Sequence, residues 1–157
     1  MGIRSVLFVC TGNLCRSPMA AGILRNIVAK EGGIHINVES AGVYACEGEP
    51  AAPLALHVCE NNGVDISDHI AKGIDRDLIN KSDLIVAMEP YHYEEIICSC
   101  PDAEGKIVLL GSMEKPKGID CIPDPYGKGS EEFGQCFDQI RRLVERLYYE
   151  FIRLGRD

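Results

Sequence analysis

The segment that most constrains the fold is a short apolar run that leads through a glycine-containing loop into a helix start. Residues 6–9 are continuously apolar with β-branched side chains, which is typical of a strand buried on both faces of a sheet. The loop CTGNLCR follows, and Ser17-Pro18 then predicts a helix with serine at the N-cap and proline at the first position. A buried strand joined to a helix in this way is the unit from which parallel α/β sheets are built.

The rest of the chain repeats this alternation of apolar strands and helical patterns. The first helix is predicted to end at Gly32-Gly33, and the longest irregular stretch, residues 111–129, is a candidate functional loop. Further strands are predicted at residues 34–38, 84–88 and 107–110, and helices at residues 53–62, 90–98 and 130–155. The pattern predicts one α/β domain over residues 1–157, with a four-stranded parallel sheet between two helical layers, a three-layer α/β/α arrangement.

Length and charge restrict the classes of partner. The 157 residues carry a formal net charge of −8, which disfavours nucleic acid and anionic membrane surfaces. No uncharged run is long enough to span a bilayer, and the N-terminal apolar stretch is too short for a signal peptide. Eight cysteines in a chain of this length are interpreted as free thiols in a reducing compartment, which predicts a cytoplasmic protein.

The loop after the first strand has the properties of a phosphate cradle. Ligands of parallel sheets bind at the carboxyl ends of the strands, and the first backbone N–H groups of the next helix attract anions. Gly12 allows the backbone to curl inwards, and the Arg16 guanidinium matches two oxygens of a tetrahedral oxyanion. The sequence therefore predicts a phosphate-binding loop between the first strand and the first helix.

Cys10 lies at the mouth of this ring of donors. The positive environment favours the thiolate, which can attack phosphorus to form a phosphocysteine, and Ser17 can donate a hydrogen bond to the sulfur. The plainer interpretation is a buried cysteine and a surface arginine, since this pair occurs often by chance. The position between a buried strand and a Ser-Pro helix start favours the phosphate interpretation, and the loop lacks the Gly-Lys-Ser/Thr ending of a Walker loop.

The motif CTGNLCRSP resembles the active-site loop of the low-molecular-weight protein tyrosine phosphatases. Other motifs of that family follow in order: Ser40-Ala41-Gly42, Gly63-Val64 before His69, and Asp124-Pro125-Tyr126-Gly127. The resemblance implies hydrolysis of phosphotyrosine and small aryl phosphates through a phosphocysteine on Cys10, with Arg16 as a catalytic residue. It also implies that substrate is bound by the loop residues Thr11, Gly12, Asn13, Leu14, Cys15 and Ser17.

Cleavage of a phosphate ester requires a proton for the departing oxygen. Asp124 lies between Pro123 and Pro125, which restrict the backbone around it, whereas the alternative acid, Asp120, has no such brace. An Asp-Pro pair is more often a simple turn. The resemblance implies that Asp124 is the general acid and then the general base.

The resemblance also implies the substrate slot. Tyr126 forms one wall, and Leu14 favours an aromatic ring, where phosphoarginine-directed relatives tend to carry threonine. The family often has a large aromatic residue beyond its Ser-Ala-Gly stretch, and here either Tyr44 or Cys46 takes that place.

Further residues are implied to support the loop. Asn13, which tolerates a left-handed backbone, matches a family network together with Ser40 and His69. Cys15 is implied to be a redox partner that forms a reversible disulfide with Cys10 under oxidation, although it also suits a small core residue. His35, His57 and His92 show no pairing typical of a catalytic site.

Alternative functions remain at this point, and a phosphoarginine phosphatase is one of them. An arsenate reductase of the same fold would use Cys98 and Cys100 as relay thiols, and a zinc module would use these two with Cys121. A phosphate-binding module without activity is disfavoured, because nucleophile, arginine and acid are all present. No metal or cofactor is implied. Partners are expected to be phosphotyrosine proteins, with inorganic phosphate as product and a monomer or weak dimer as the assembly.

Overall fold

The computed structural model describes residues 2–153, and its centre is one sheet. The strands are β1 (Ser5–Cys10), β2 (Asn37–Gly42), β3 (Leu84–Ala87) and β4 (Ile107–Leu109). All neighbouring strands pair in parallel, in the order β2-β1-β3-β4, so the predicted four-stranded parallel sheet is confirmed. After β1 the chain adds β2 on one side of it and then returns to add β3 on the other side. The carboxyl ends of β1 and β3 therefore form a topological switch point, where ligands bind in sheets of this kind.

Helices cover both faces of the sheet. They are α1 (Arg16–Glu31), α2 (Pro53–Asn61), α3 (Arg76–Lys81), α4 (Pro90–Ser99) and α5 (Ser130–Leu147). Short 3₁₀ segments span Pro101–Lys106 and Leu110–Met113, and a π-helical segment, Tyr148–Arg153, continues α5. Within residues 2–153, none of the helices is both long and apolar enough to cross a membrane.

The alternation of side chains along β1 divides the core into two layers. Phe8 points into the cluster that contains the buried residues of α1, α2 and α5. Leu7 and Val9 point to the other face, where they pack with buried residues of α3 and α4. This arrangement confirms the three-layer α/β/α prediction.

The second strand lies later in the chain than predicted. Residues 34–38 were expected, but the strand spans Asn37–Gly42, because the register pairs Ser5 with Asn37 and Cys10 with Gly42. The Ser40-Ala41-Gly42 segment has little intrinsic strand propensity, and pairing with β1 overrides it. Glycine is required at position 42 because the backbone of Thr11 lies so close that a Cβ there would clash with the Thr11 carbonyl oxygen.

Helix boundaries differ at three places. α1 begins at Arg16 with Cys15 at its N-cap position, so the predicted N-cap residue Ser17 lies inside the first turn. The six-residue helix α3 was not predicted, because it is too short for a periodic pattern, although Asp75 caps it by accepting from the backbone N–H of Leu78. The last predicted helix is α-helical only to Leu147, and its predicted end at residue 155 lies outside the described residues.

Candidate active site

A cavity of about 210 Å³ opens at the carboxyl end of β1, at the switch point of the sheet. It brings together most of the site residues predicted from the sequence. The lining residues are Cys10, Thr11, Gly12, Leu14, Cys15, Arg16, Tyr44, Cys46, Asp124 and Tyr126.

The backbone of the loop between β1 and α1 is oriented by its neighbour, the segment that follows β2. The carbonyl oxygens of Cys10, Thr11 and Gly12 accept hydrogen bonds from the N–H groups of Val43, Tyr44 and Cys46, at 3.0, 2.9 and 3.1 Å. In a trans peptide the C=O and the following N–H point in opposite directions. The N–H groups that follow these carbonyls therefore point away from the β2 segment, into the loop, where an anion can accept their hydrogen bonds.

Asn13 holds the turn of this loop. Among residues 2–153 it is the non-glycine residue with a positive φ, 60°, so the left-handed position is Asn13 and not the preceding glycine. Its Oδ1 accepts from the Lys72 backbone N–H at 2.9 Å, and its carbonyl oxygen accepts from His69 Nε2 at 2.7 Å. Its Nδ2 donates to the hydroxyls of Ser17 and Ser40, at 2.8 and 2.9 Å. The predicted network of Asn13, Ser40 and His69 is thus present behind the cavity.

The hydrogen-bond direction at Cys10 follows from this network. Ser17 Oγ lies 2.9 Å from Cys10 Sγ and already accepts a hydrogen bond from the Asn13 amide. Its own O–H is therefore free to donate to the sulfur, and this stabilises a thiolate. Both Asn13 and Ser17 lie beneath the cavity and do not line it.

Arg16 is fixed although it is almost completely buried. Its side chain is 1% exposed, and one terminal nitrogen donates to Glu89 Oε2 and to the Ile122 carbonyl oxygen, both at 2.7 Å. Burial alone would lower the pKa of Arg16, but Cys10, Glu89 and Asp124 outweigh burial and raise it. The other terminal nitrogen lies 3.6 Å from Asp124 Oδ2. The guanidinium is thus held in one orientation at the cavity.

Asp124 approaches the cavity from the 111–129 stretch. Its Oδ1 accepts from the Tyr126 backbone N–H at 3.1 Å, and its side chain is 45% exposed, so water and substrate can reach the carboxylate. The alternative acid, Asp120, is exposed and does not line the cavity.

Two residues of the site were missed by the sequence analysis. Glu89 is the N-cap residue of α4 and His92 lies in its first turn, shortly after β3, and β3 is the neighbour of β1. His92 is fully buried, and its Nε2 lies 2.9 Å from Thr11 Oγ1. The spacing of a carboxylate and a histidine on one helical turn, after a strand next to β1, was the signal that could have found them.

His92 is neutral in this setting. Burial, reinforced by Arg16, lowers its pKa to about 4 against the opposing effects of Glu89 and Asp124. Its Nδ1 is buried without a hydrogen-bond partner, so a proton there would have no acceptor. The pKa of Glu89 is lowered, because the hydrogen bond and charge of Arg16 outweigh the effect of its partial burial. His92 Nε2 lies 3.9 Å from Glu89, but because the histidine is neutral the two residues do not form an ion pair at neutral pH.

Four cysteines were candidate redox partners or zinc ligands, and they lie in different parts of the fold. Cys15 is buried at the cavity floor, and burial raises its pKa to about 12, with smaller contributions from Asp124 and Cys10. Cys98 and Cys100 lie near the far end of α4, whereas Cys121 is in contact with Glu89 at its beginning. A ten-residue helix is about 15 Å long, which separates Cys98 and Cys100 from Cys121 and from the cavity. The arrangement supports neither a relay from Cys98 and Cys100 to Cys10 nor a zinc site shared with Cys121.

Comparisons with known proteins agree with this geometry. The profile described as "Low molecular weight phosphotyrosine protein phosphatase" matches residues 5–156. A probable low molecular weight protein-tyrosine-phosphatase, EpsP, of Ralstonia nicotianae is 38% identical over 153 residues, 98% of this chain and 99% of the relative. A protein-arginine-phosphatase of Bacillus subtilis is 30% identical over 142 residues, 90% of this chain and 93% of the relative. The crystal structure of the Erwinia amylovora tyrosine phosphatase amsI matches with a TM-score of 0.87 and 29% identity, over 95% of this chain and 93% of that one.

Proposed function

The chain belongs to the low molecular weight phosphotyrosine protein phosphatase family, and from this premise we propose how its own residues hydrolyse phosphotyrosine. Its substrates are phosphoproteins and its product is inorganic phosphate. The observation that carries the proposal is the convergence of Cys10, Arg16 and Asp124 on one cavity. We propose that residues 1–157 act as one catalytic domain.

In the first step the phosphate is bound by the loop N–H groups and by Arg16, whose orientation is held by Glu89. The Cys10 thiolate attacks phosphorus, an S–P bond forms and the bond to the tyrosine oxygen breaks. Asp124 gives its proton to that oxygen, so the leaving group departs as a neutral phenol.

In the second step water cleaves the phosphocysteine. Asp124, now a carboxylate, takes a proton from the attacking water while the S–P bond breaks. The sulfur leaves as a thiolate that accepts the hydrogen bond of Ser17, and Arg16 with the loop N–H groups stabilises the charge on the phosphoryl oxygens.

Phosphoarginine is the competing substrate, because one relative is named a protein-arginine-phosphatase. The cavity favours the aryl substrate, since Leu14, Tyr44 and Tyr126 give it apolar and aromatic walls. The predicted alternative walls Tyr44 and Cys46 both line it.

The test is steady-state hydrolysis of p-nitrophenyl phosphate and a phosphotyrosine peptide under reducing conditions. We expect Cys10→Ser to be inactive and Asp124→Asn to lose about 10²–10⁴-fold in kcat, which is typical for loss of a general acid. Asp120→Asn is the matched control and should retain the parent rate. Equal losses in both aspartate variants would contradict the assignment of the acid, and an inactive parent would contradict the function.

We also propose a cellular location and an oligomeric state. All eight cysteines, which fall within residues 2–153, are free thiols, and this supports a cytoplasmic, reducing location. We propose a monomer or weak dimer, which analytical ultracentrifugation at increasing concentration would test.

A further inference from the structure

The cavity rim carries an aromatic pair that the catalytic chemistry does not use. Tyr44, in the segment after β2, lines the cavity and is 65% exposed. Tyr91, in the first turn of α4, is 42% exposed and stacks on Tyr44. Their ring centroids are 6.3 Å apart and the ring planes differ by 17°, an offset stack. The interaction with the Tyr44 hydroxyl is the main cause that raises the pKa of Tyr91 to about 12, because it stabilises the neutral Tyr91 phenol, so the two hydroxyls also interact.

Both tyrosines are tied to the phosphate-binding loop at the same residue. The backbone N–H of Tyr44 donates to the Thr11 carbonyl oxygen at 2.9 Å. The residue after Tyr91, His92, contacts Thr11 Oγ1 at 2.9 Å, and the Tyr91 ring lies against the His92 ring with centroids 5.7 Å apart. The stack is therefore anchored on two sides to the residue next to Cys10.

An exposed side chain on a loop samples several rotamers unless a neighbour restricts it. Tyr91 stands on a helix whose first turn is fixed by the contact between Glu89 and Arg16, so it is the rigid member of the pair. Tyr44 is the member that faces the substrate. Stacking with Tyr91 keeps the Tyr44 ring at the cavity and reduces the entropy lost when substrate binds.

We infer that Tyr91 is a specificity-determining positioning residue, which holds Tyr44 as an aromatic wall for the ring of an aryl phosphate. The inference rests on the proposed function and extends it to a residue of α4 outside the cavity. Because the wall contacts the ring and not the phosphoryl group, its loss weakens binding of aryl substrates and leaves the phosphate cradle intact.

The test compares Tyr91→Ala, Tyr91→Phe, Tyr44→Ala and the double alanine variant. For p-nitrophenyl phosphate and a phosphotyrosine peptide we expect KM to rise roughly two- to tenfold in Tyr91→Ala, the range of one aromatic contact, with kcat little changed. Tyr91→Phe keeps the stack and should recover most of this loss. The double variant should bind no more weakly than Tyr44→Ala alone, because both changes remove one wall.

Three measurements distinguish this role from a general structural one. Competitive inhibition by inorganic phosphate should be unchanged in Tyr91→Ala, since phosphate occupies only the cradle. The selectivity ratio of p-nitrophenyl phosphate to phosphoarginine should fall. Tyr149→Ala is the matched control, because Tyr149 is similarly exposed at 41% and lies on the segment after α5, outside the cavity lining.

Several results would overturn the inference while the proposed function stands. These are an unchanged KM in Tyr91→Ala, a further KM rise when it is added to Tyr44→Ala, or a parallel loss of phosphate inhibition. Failure of the proposed function looks different, since the parent itself would then fail to hydrolyse both aryl substrates.

Discussion

Protonation of His92 is expected to destabilise the folded protein in mildly acidic solution. In the fold its ring is completely buried, its Nε2 contacts Thr11, and its Nδ1 has no partner that could accept a hydrogen bond from it. His92→Gln removes the titrating group and retains an amide that can donate to the Thr11 hydroxyl. The variant therefore separates the charge of His92 from its hydrogen bond.

The magnitude follows from the difference between folded and unfolded states. Burial lowers the pKa of His92 to about 4, whereas an unfolded chain titrates histidine near ~6.5. As the pH falls, the unfolded state binds the proton first. The stability that neutral His92 contributes is therefore fully present above the pKa of the unfolded state and is lost as pH falls towards the pKa of the folded state. The full difference corresponds to about 3 kcal/mol, and about 2 kcal/mol of it is lost by roughly pH 5.

Urea unfolding at about pH 7 and about pH 5 measures the effect. Between these conditions the parent should lose about 2 kcal/mol more unfolding free energy than His92→Gln. His69 also has a pKa lowered by burial, but it titrates in both proteins and cancels in the difference. His35→Gln is the matched control at an exposed position and should follow the parent. An equal loss in parent and His92→Gln would refute the argument.

Other changes test packing, the nucleophile and its oxidation. Gly22→Ala is expected to cost about 1–3 kcal/mol in thermal or urea unfolding, because overpacking follows when the added Cβ lies 2.6 Å from a side-chain atom of the 64–66 segment. In Gly134→Ala the added Cβ has no neighbour within 4 Å, and this helical substitution should stabilise the protein by roughly 0.5–1 kcal/mol. Equal changes in unfolding free energy for the two glycine variants would contradict the packing argument. Ser17→Ala should lower kcat by about tenfold or more, because Cys10 Sγ loses a 2.9 Å hydrogen bond, and an unchanged kcat would exclude that role. Hydrogen peroxide should oxidise Cys10 to a sulfenic acid, which Cys15 converts to a disulfide with release of water. Mass mapping should find this crosslink and reductant should reverse it, whereas irreversible inactivation without it would count against the redox role.

The part of the site that lies within one continuous segment could be predicted from the sequence. Cys10, Arg16 and Ser17 are close in the chain, and the strand before them and the helix after them have strong apolar patterns. The strand, the loop and the helix therefore agree in predicting the same unit. Asp124 was predicted for a different reason, because its flanking prolines and the family motif mark it independently of its neighbours in space.

The position of β2 could not be predicted from local propensity. Ser40-Ala41-Gly42 lacks the β-branched pattern of a strand, and its role depends on lying beside the loop. Ser40 reaches the Asn13 amide, and Gly42 allows the backbone of Thr11 to approach. These contacts require small side chains, whereas strands are predicted from β-branched and aromatic side chains.

The contribution of α4 depends on the strand order. Glu89, Tyr91 and His92 are more than seventy residues from the loop in sequence, and none belongs to a recognised motif. They reach the loop because β3 pairs with β1 on the side opposite β2, so that the chain leaving β3 emerges beside Cys10. If β3 paired with the outer edge of β2, it would lie two strand spacings of about 4.8 Å from β1 instead of one, and Glu89 could not remain 2.7 Å from Arg16. The residues that orient the arginine, contact the loop and support the aromatic wall are therefore functional through topology, and the EPYH turn acquires its role only when the sheet has formed.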